Sequence, residues 1–171
     1  LNTKNIDCIW NGMTLDEGVL VSMETSKAYM NNAQVVVVPK EKGTKYGTAD
    51  SIKGLRFAVE SGSAGAAQLE SLGIEYIGMQ TQADALLEVA SGASDACVID
   101  LLMACAMIGE GTSYPNLSYT VKLNDEEYGV GFRKGSDLAA RLDDFLVSSF
   151  ESGKTLEIAM KYDVQGALVS F

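Results

Sequence analysis

Apolar residues fall into short runs separated by polar, glycine-bearing stretches, the pattern of strands alternating with helices. Ile6–Trp10 reads as a short strand running into a polar turn, Asn11–Thr14. Leu15–Met30 has little clear period and is expected to be a loop with a short turn. Gln34–Val38 is a buried strand whose pairing Pro39 ends, and Lys40–Asp50 is a surface loop. Leu55–Gln68 reads as strand, glycine-rich turn and helix. Ile74–Ile77, Ala96–Ile99, Leu117–Val121 and Tyr128–Phe132 are further strands. Helices are expected over Thr81–Ser91, Leu101–Ile108, from Ser136 to Gly153, and over Lys154–Tyr162. Thr81 caps the first of these, Asp84 sits in its first turn, Gly92 closes it, and Ala83, Leu86, Leu87 and Ala90 share a face. In the helix after Ser136, Leu138, Leu142, Phe145, Leu146 and Ser149 share a face. This alternation predicts an α/β fold with a mostly parallel sheet covered on both faces.

The turn Ser61–Gly65 carries the first candidate chemistry. Its side chains are small, so a ligand can approach the backbone, and the helix that follows offers unpaired N–H groups to an anion. Ser61 and Ser63 can add hydroxyl donors. An ordinary strand-to-helix turn with Ser63 as N-cap reads equally well. No lysine follows the last glycine, so this is not a nucleoside-triphosphate loop.

Length, charge and composition narrow the function classes. The 171 residues, 47% of them hydrophobic, make one domain or two small lobes with a real core. A net charge of −10 argues against nucleic acid and anionic membranes as partners. No run is apolar enough to span a bilayer and no signal peptide is recognisable; the first residue, Leu1, suggests a processed form. There is no histidine, which removes Ser-His-Asp and Cys-His catalysis and the usual zinc sites; no cofactor or metal is called for. The three cysteines lack C-x-x-C spacing, and Cys8 and Cys97, in apolar runs, are expected as buried thiols.

Five stretches in order, IDCIWNGMT (Ile6–Thr14), AYMNNAQVVVV (Ala28–Val38), FAVESGSAG (Phe57–Gly65), SGASDACVID (Ser91–Asp100) and YGVGFRKGSDL (Tyr128–Leu138), resemble the extracytoplasmic substrate-binding proteins of polar amino-acid ABC transporters. The resemblance implies the type II periplasmic-binding-protein fold, two α/β lobes joined by two crossing strands. It places residues 1–33 in a partial lobe 1, the first crossing at 34–38, lobe 2 at 39–126, the return crossing at 127–132, and the rest of lobe 1 at 133–171. Family lobe 1 starts with further β-α-β elements that would precede Leu1, so the chain looks truncated.

The same resemblance implies a non-enzymatic receptor that binds an amino acid or related small solute between its lobes and delivers it to an ABC permease, outside the cytoplasmic membrane, in the periplasm or as a surface lipoprotein. A sensor module of a receptor and an enzyme like the cyclohexadienyl dehydratases are alternatives on the same fold. A free amino acid demands a carboxylate for its ammonium group and donors for its carboxylate. Asp100 matches the family's ammonium ligand, though it also suits an N-cap. Ser63, Ala64 and Gly65 match the carboxylate cradle, and Asn11, Gly12 and Thr14 the contacts from lobe 1, where turn formation is the other reading. Glu60 suits a cationic ligand group or a solvated loop. The family's carboxylate-clamping arginine falls near Gly18 and Val19, where there is no cation. Trp10 and Tyr29 either wall the cleft or, for Trp10, fill core; Tyr128 suits hinge packing. Apolar surface left open on a partial lobe 1 would be met by dimerisation or element swapping.

Overall fold

The computed structural model describes residues 1–171. The chain divides into two compact units, one formed by Leu1–Asn32 and Glu126–Phe171, the other by the continuous segment Ala33–Asp125. The chain passes from one to the other after Asn32 and after Asp125; the strands Gln34–Pro39 and Glu126–Phe132 each belong to a single unit.

The first unit is an antiparallel sheet with two helices. Its strands are β1 (Cys8–Thr14), β2 (Glu24–Thr25), β3 (Met30–Asn32) and β9 (Glu126–Phe132), and β9 pairs antiparallel with each of the others. Three stretches read differently in sequence. Asn11–Thr14 continues β1 rather than turning, because the register against β9 slips between Ile9 and Met13 and a bulge absorbs the polar residues. Gly12, at φ +74°, supplies the left-handed residue of that bulge. Leu15–Met30 is not loop: it holds α1 (Glu17–Ser22), capped by Asp16, whose Oδ1 accepts from the Val19 N–H at 2.8 Å, and then β2 and β3. Helices α5 (Leu138–Glu151) and α6 (Lys154–Lys161) complete the unit. Val130, Phe132 and Ala139 form its small core, with Tyr29, Leu138 and Leu142 packed on them.

The second unit is a five-stranded sheet in the order β6-β5-β7-β4-β8. Its strands are β4 (Gln34–Pro39), β5 (Phe57–Glu60), β6 (Tyr76–Met79), β7 (Ala96–Asp100) and β8 (Leu117–Lys122). The trio β6, β5 and β7 is parallel, whereas β4 runs antiparallel to both β7 and β8. The sheet is therefore mixed rather than mostly parallel. Pro39, opposite Leu117, is the last residue of β4 and ends its pairing.

Helices α2 (Ala64–Ser71), α3 (Gln82–Ser91) and α4 (Leu101–Met107) follow the three parallel strands. Both sheet faces are covered. Val36, Val38, Phe57, Val59, Leu69 and their neighbours fill one side, and Val35, Val37, Ala58, Leu86 and Ile99 the other. A strand buried on both faces explains why Val35–Val38 is a continuous apolar run without alternation.

Helix α3 starts on a complete capping box. The Thr81 hydroxyl oxygen accepts from the Asp84 N–H, and the Asp84 carboxylate accepts from the Thr81 N–H. Gly92 ends it at φ +80°. Its buried face is Ala85, Leu86 and Val89, with Leu87 exposed, one step round from the expected face.

Cysteine burial splits. Cys97 lies in β7, and burial pushes its thiol pKa far up. Cys8, expected inside, is exposed, as is Cys105. Cys8 opens β1 beside Trp10, which is also exposed, at 53%. Both belong to a sheet face that α5 and α6 only partly cover.

Candidate functional site

The parallel trio brings the second unit's candidates to one sheet edge. Glu60 ends β5, Asp100 ends β7, and Thr81 and Gln82 follow β6 closely. Ligands in open α/β sheets bind outside the carboxyl ends of such strands. The helices α2 and α3 begin at the same edge, so their unpaired N–H groups gather there as well.

Asp100 is the best-defined side chain of this group. It is half-buried, and its carboxylate makes no N-cap bond to α4. Instead Oδ1 accepts from Gln34 Nε2 at 2.6 Å and Oδ2 from Gln82 Nε2 at 2.7 Å. Gln82 grips it twice, because its Oε1 also accepts from the Asp100 N–H at 3.0 Å. Gln34 is opposite Asp100 in the antiparallel register of β4 and β7, which sets up the contact. These amides are neutral, so they orient the carboxylate without cancelling its charge.

The turn after β5 is built as a helix start. Ser63 caps α2, its Oγ accepting from the Ala66 N–H at 3.2 Å, and its own O–H stays a donor. The Ala64 and Gly65 N–H groups have no acceptor within the helix. The N-cap reading of Ser63 is the one the hydrogen bond shows. Gly65 is a glycine for packing: a Cβ there would lie 2.9 Å from Gln34 Oε1 and from Val98 Cγ1, and 3.2 Å from Val59 Cγ2. The Ser61 hydroxyl folds over Gly78 of β6, where any Cβ would collide with it.

The first unit holds Asn11, Gly12 and Thr14 together on β1, at and just after its bulge. Gly12 lies against the Tyr128 ring, and Tyr128 is buried. Trp10, Tyr29 and Tyr128 form an aromatic row, with ring centroids 5.9 Å apart for Trp10–Tyr29 and 6.5 Å for Tyr29–Tyr128. Burial raises the Tyr29 pKa, and a hydrogen bond with Trp10 partly offsets this. The region of Gly18 and Val19 is α1, which is capped by Asp16 and carries Glu17 in its first turn and no cation among its own residues.

Gln34 and Gln82 were not among the sequence candidates. The signal for Gln34 was present: one uncharged polar residue at the head of a valine run, where a buried amide needs a partner. Gln82 follows an N-cap and looked like ordinary helix surface.

A family model, described as bacterial extracellular solute-binding proteins, family 3, matches residues 1–165. A protein of Neisseria gonorrhoeae named "Probable histidine-binding protein" is 26% identical over 95% of this chain and 62% of its own length. The "L-arginine-binding protein" of Pseudomonas aeruginosa is 26% identical over 98% of this chain and 70% of its own. Among solved structures, a mutant of ArgBP from T. maritima superposes with a TM-score of 0.85 at 31% identity, over 95% of this chain and 71% of that one. The chain thus spans between about three fifths and seven tenths of these relatives' length. With residues 1–165 inside the family model, this chain belongs to the bacterial extracellular solute-binding proteins, family 3.

Proposed function

We propose that the chain is part of a non-enzymatic receptor that takes up a cationic amino acid, of the arginine or histidine kind, and hands it to an ABC transporter permease. One observation carries this reading: a carboxylate oriented by two amides at the carboxyl ends of parallel strands, beside a helix start. The carboxylate suits an α-ammonium group, and the N–H groups of α2 suit an α-carboxylate. Glu60, at the end of the neighbouring strand, adds a second negative charge for a cationic side chain. The names of the relatives, histidine- and arginine-binding proteins, support the same ligand class.

On this reading the two compact units are the receptor's lobes, and Asn11, Gly12 and Thr14 are the ligand contacts of the first. The carboxylate is held without an arginine at Gly18 or Val19, so α2 carries more of that duty. Family membership implies an extracytoplasmic location; periplasm or a surface lipoprotein are the two forms it takes.

A thermal-shift screen tests the proposal, since a ligand that binds only the native state raises the melting temperature. The chain is expected to respond to arginine, lysine or histidine, with Asp100→Asn abolishing the response and glutamate giving none. Equal silence towards all amino acids would overturn it.

A further inference from the structure

We infer that Gln34 is a positioning residue for the ligand's cationic group, holding the Asp100 carboxylate in the one orientation in which an ammonium meets it. The inference rests on the solute-receptor reading above. Gln34 is 2% exposed, at the head of a strand whose next four residues are valines. An amide removed from water costs free energy unless its hydrogen bonds are replaced, and an apolar side chain of the same length would fill the volume. Packing alone therefore does not account for a glutamine. Its amide nitrogen goes to Asp100 Oδ1, while its carbonyl oxygen abuts the α2 backbone at Gly65.

One side chain thus spans the carboxylate and the first turn of α2, the two groups assigned to opposite ends of an amino acid. Gly65 is what lets it lie there, because any Cβ at that position would displace it. The backbone of Gln34 is fixed as well. Its N–H donates to Asn124 Oδ1 at 2.7 Å and its carbonyl accepts from the Leu123 N–H at 2.8 Å. The side chain therefore starts from a rigid point, as a positioning residue must. Gln82 completes the grip on the other oxygen.

The test compares arginine binding by calorimetry at pH 5 and pH 8 for the wild-type chain, Gln34→Met and Gln34→Glu, with thermal unfolding of each. Gln34→Met keeps the volume and removes the donor; it is expected to bind arginine about tenfold more weakly while remaining folded. Gln34→Glu sets a second carboxyl against Asp100. Two carboxylates in contact share a proton, so the affinity of this variant should rise between pH 5 and pH 8 more steeply than that of the wild type. A glutamine that only packs would leave Gln34→Met binding like wild type, and an unchanged pH profile of Gln34→Glu would mean that the side chain at position 34 does not meet Asp100; either result overturns the inference.

If the wild-type chain takes no amino acid, the receptor reading fails by itself. The grip is then judged from the Gln34 side-chain NH2 protons by NMR. Slow exchange and a shift on Asp100→Asn support it; fast exchange with no shift overturns it.

Discussion

Arg56 and Asp95 meet through three hydrogen bonds, from the Arg56 backbone N–H, Nε and Nη2, so one carboxylate ties together the starts of β5 and β7. The pairing pulls the Asp95 pKa down to about 2. A depressed pKa stabilises the fold above the unfolded value of about 4 and loses that contribution as pH falls through the folded one. Acid unfolding should therefore steepen between about pH 4 and about pH 2. Asp95→Asn is expected to lower stability slightly at neutral pH and to flatten that window, because the pair is partly exposed and screened. A circular-dichroism acid titration of both proteins checks this. At Gly65 the expectation is sharper. Gly65→Ala gains helix propensity but pushes a methyl into Gln34, Val59 and Val98. The net cost should be about 1–2 kcal/mol in urea unfolding, with ligand affinity falling alongside as Gln34 shifts.

Among the elements, α3 was readable because its signals are local. The Thr81–Asp84 box and Gly92 lie within twelve residues of one another, and the structure uses all three. Thr81→Ala should cost about 1 kcal/mol, measured by denaturant unfolding, and should loosen the first turn that carries Gln82. The strands β2 and β3 were not readable. They are two and three residues long, too short for any period, and exist because β9 offers its ladder to them. The antiparallel sense of β4 was hidden for a similar reason, since strand direction is set by partners far away in sequence. Site legibility divides the same way. Asp100 stood out as a charge ending an apolar run, whereas its two amide partners come from positions 66 and 18 residues earlier. The β1 bulge follows this rule too: Gly12→Ala would be strained at φ +74° and crowd Tyr128.

On the scale of the molecule, the first unit carries an open apolar face. A groove of about 450 Å³ runs between Trp10, Tyr29, Phe145, Ile158, Tyr162 and Phe171. Phe145, expected to pack, is 62% exposed. Monomeric proteins seldom leave so continuous an apolar patch bare. The chain is expected to bind a hydrophobic dye strongly, and Phe145→Glu to reduce that fluorescence without altering the thermal unfolding of the Ala33–Asp125 unit. Unchanged dye binding would mean that the fluorescence arises elsewhere.

The Ala33–Asp125 unit begins and ends at neighbouring points, for Gln34 bonds to both Leu123 and Asn124. The flanking segments belong to one antiparallel sheet whose central strand, β9, has all its partners at least 94 residues earlier. Bringing such distant strands together in an open chain carries a large loop-closure entropy. Once the inner unit has formed, that loop has collapsed to a pair of adjacent ends, and the outer sheet can zip almost as a local hairpin. Folding should therefore run from the inside outwards. Pulse-labelled hydrogen exchange would then protect Val36 and Val98 before Val130, and a polypeptide ending at Asp125 would already hold a finished domain while its first 32 residues wait for their partner strand.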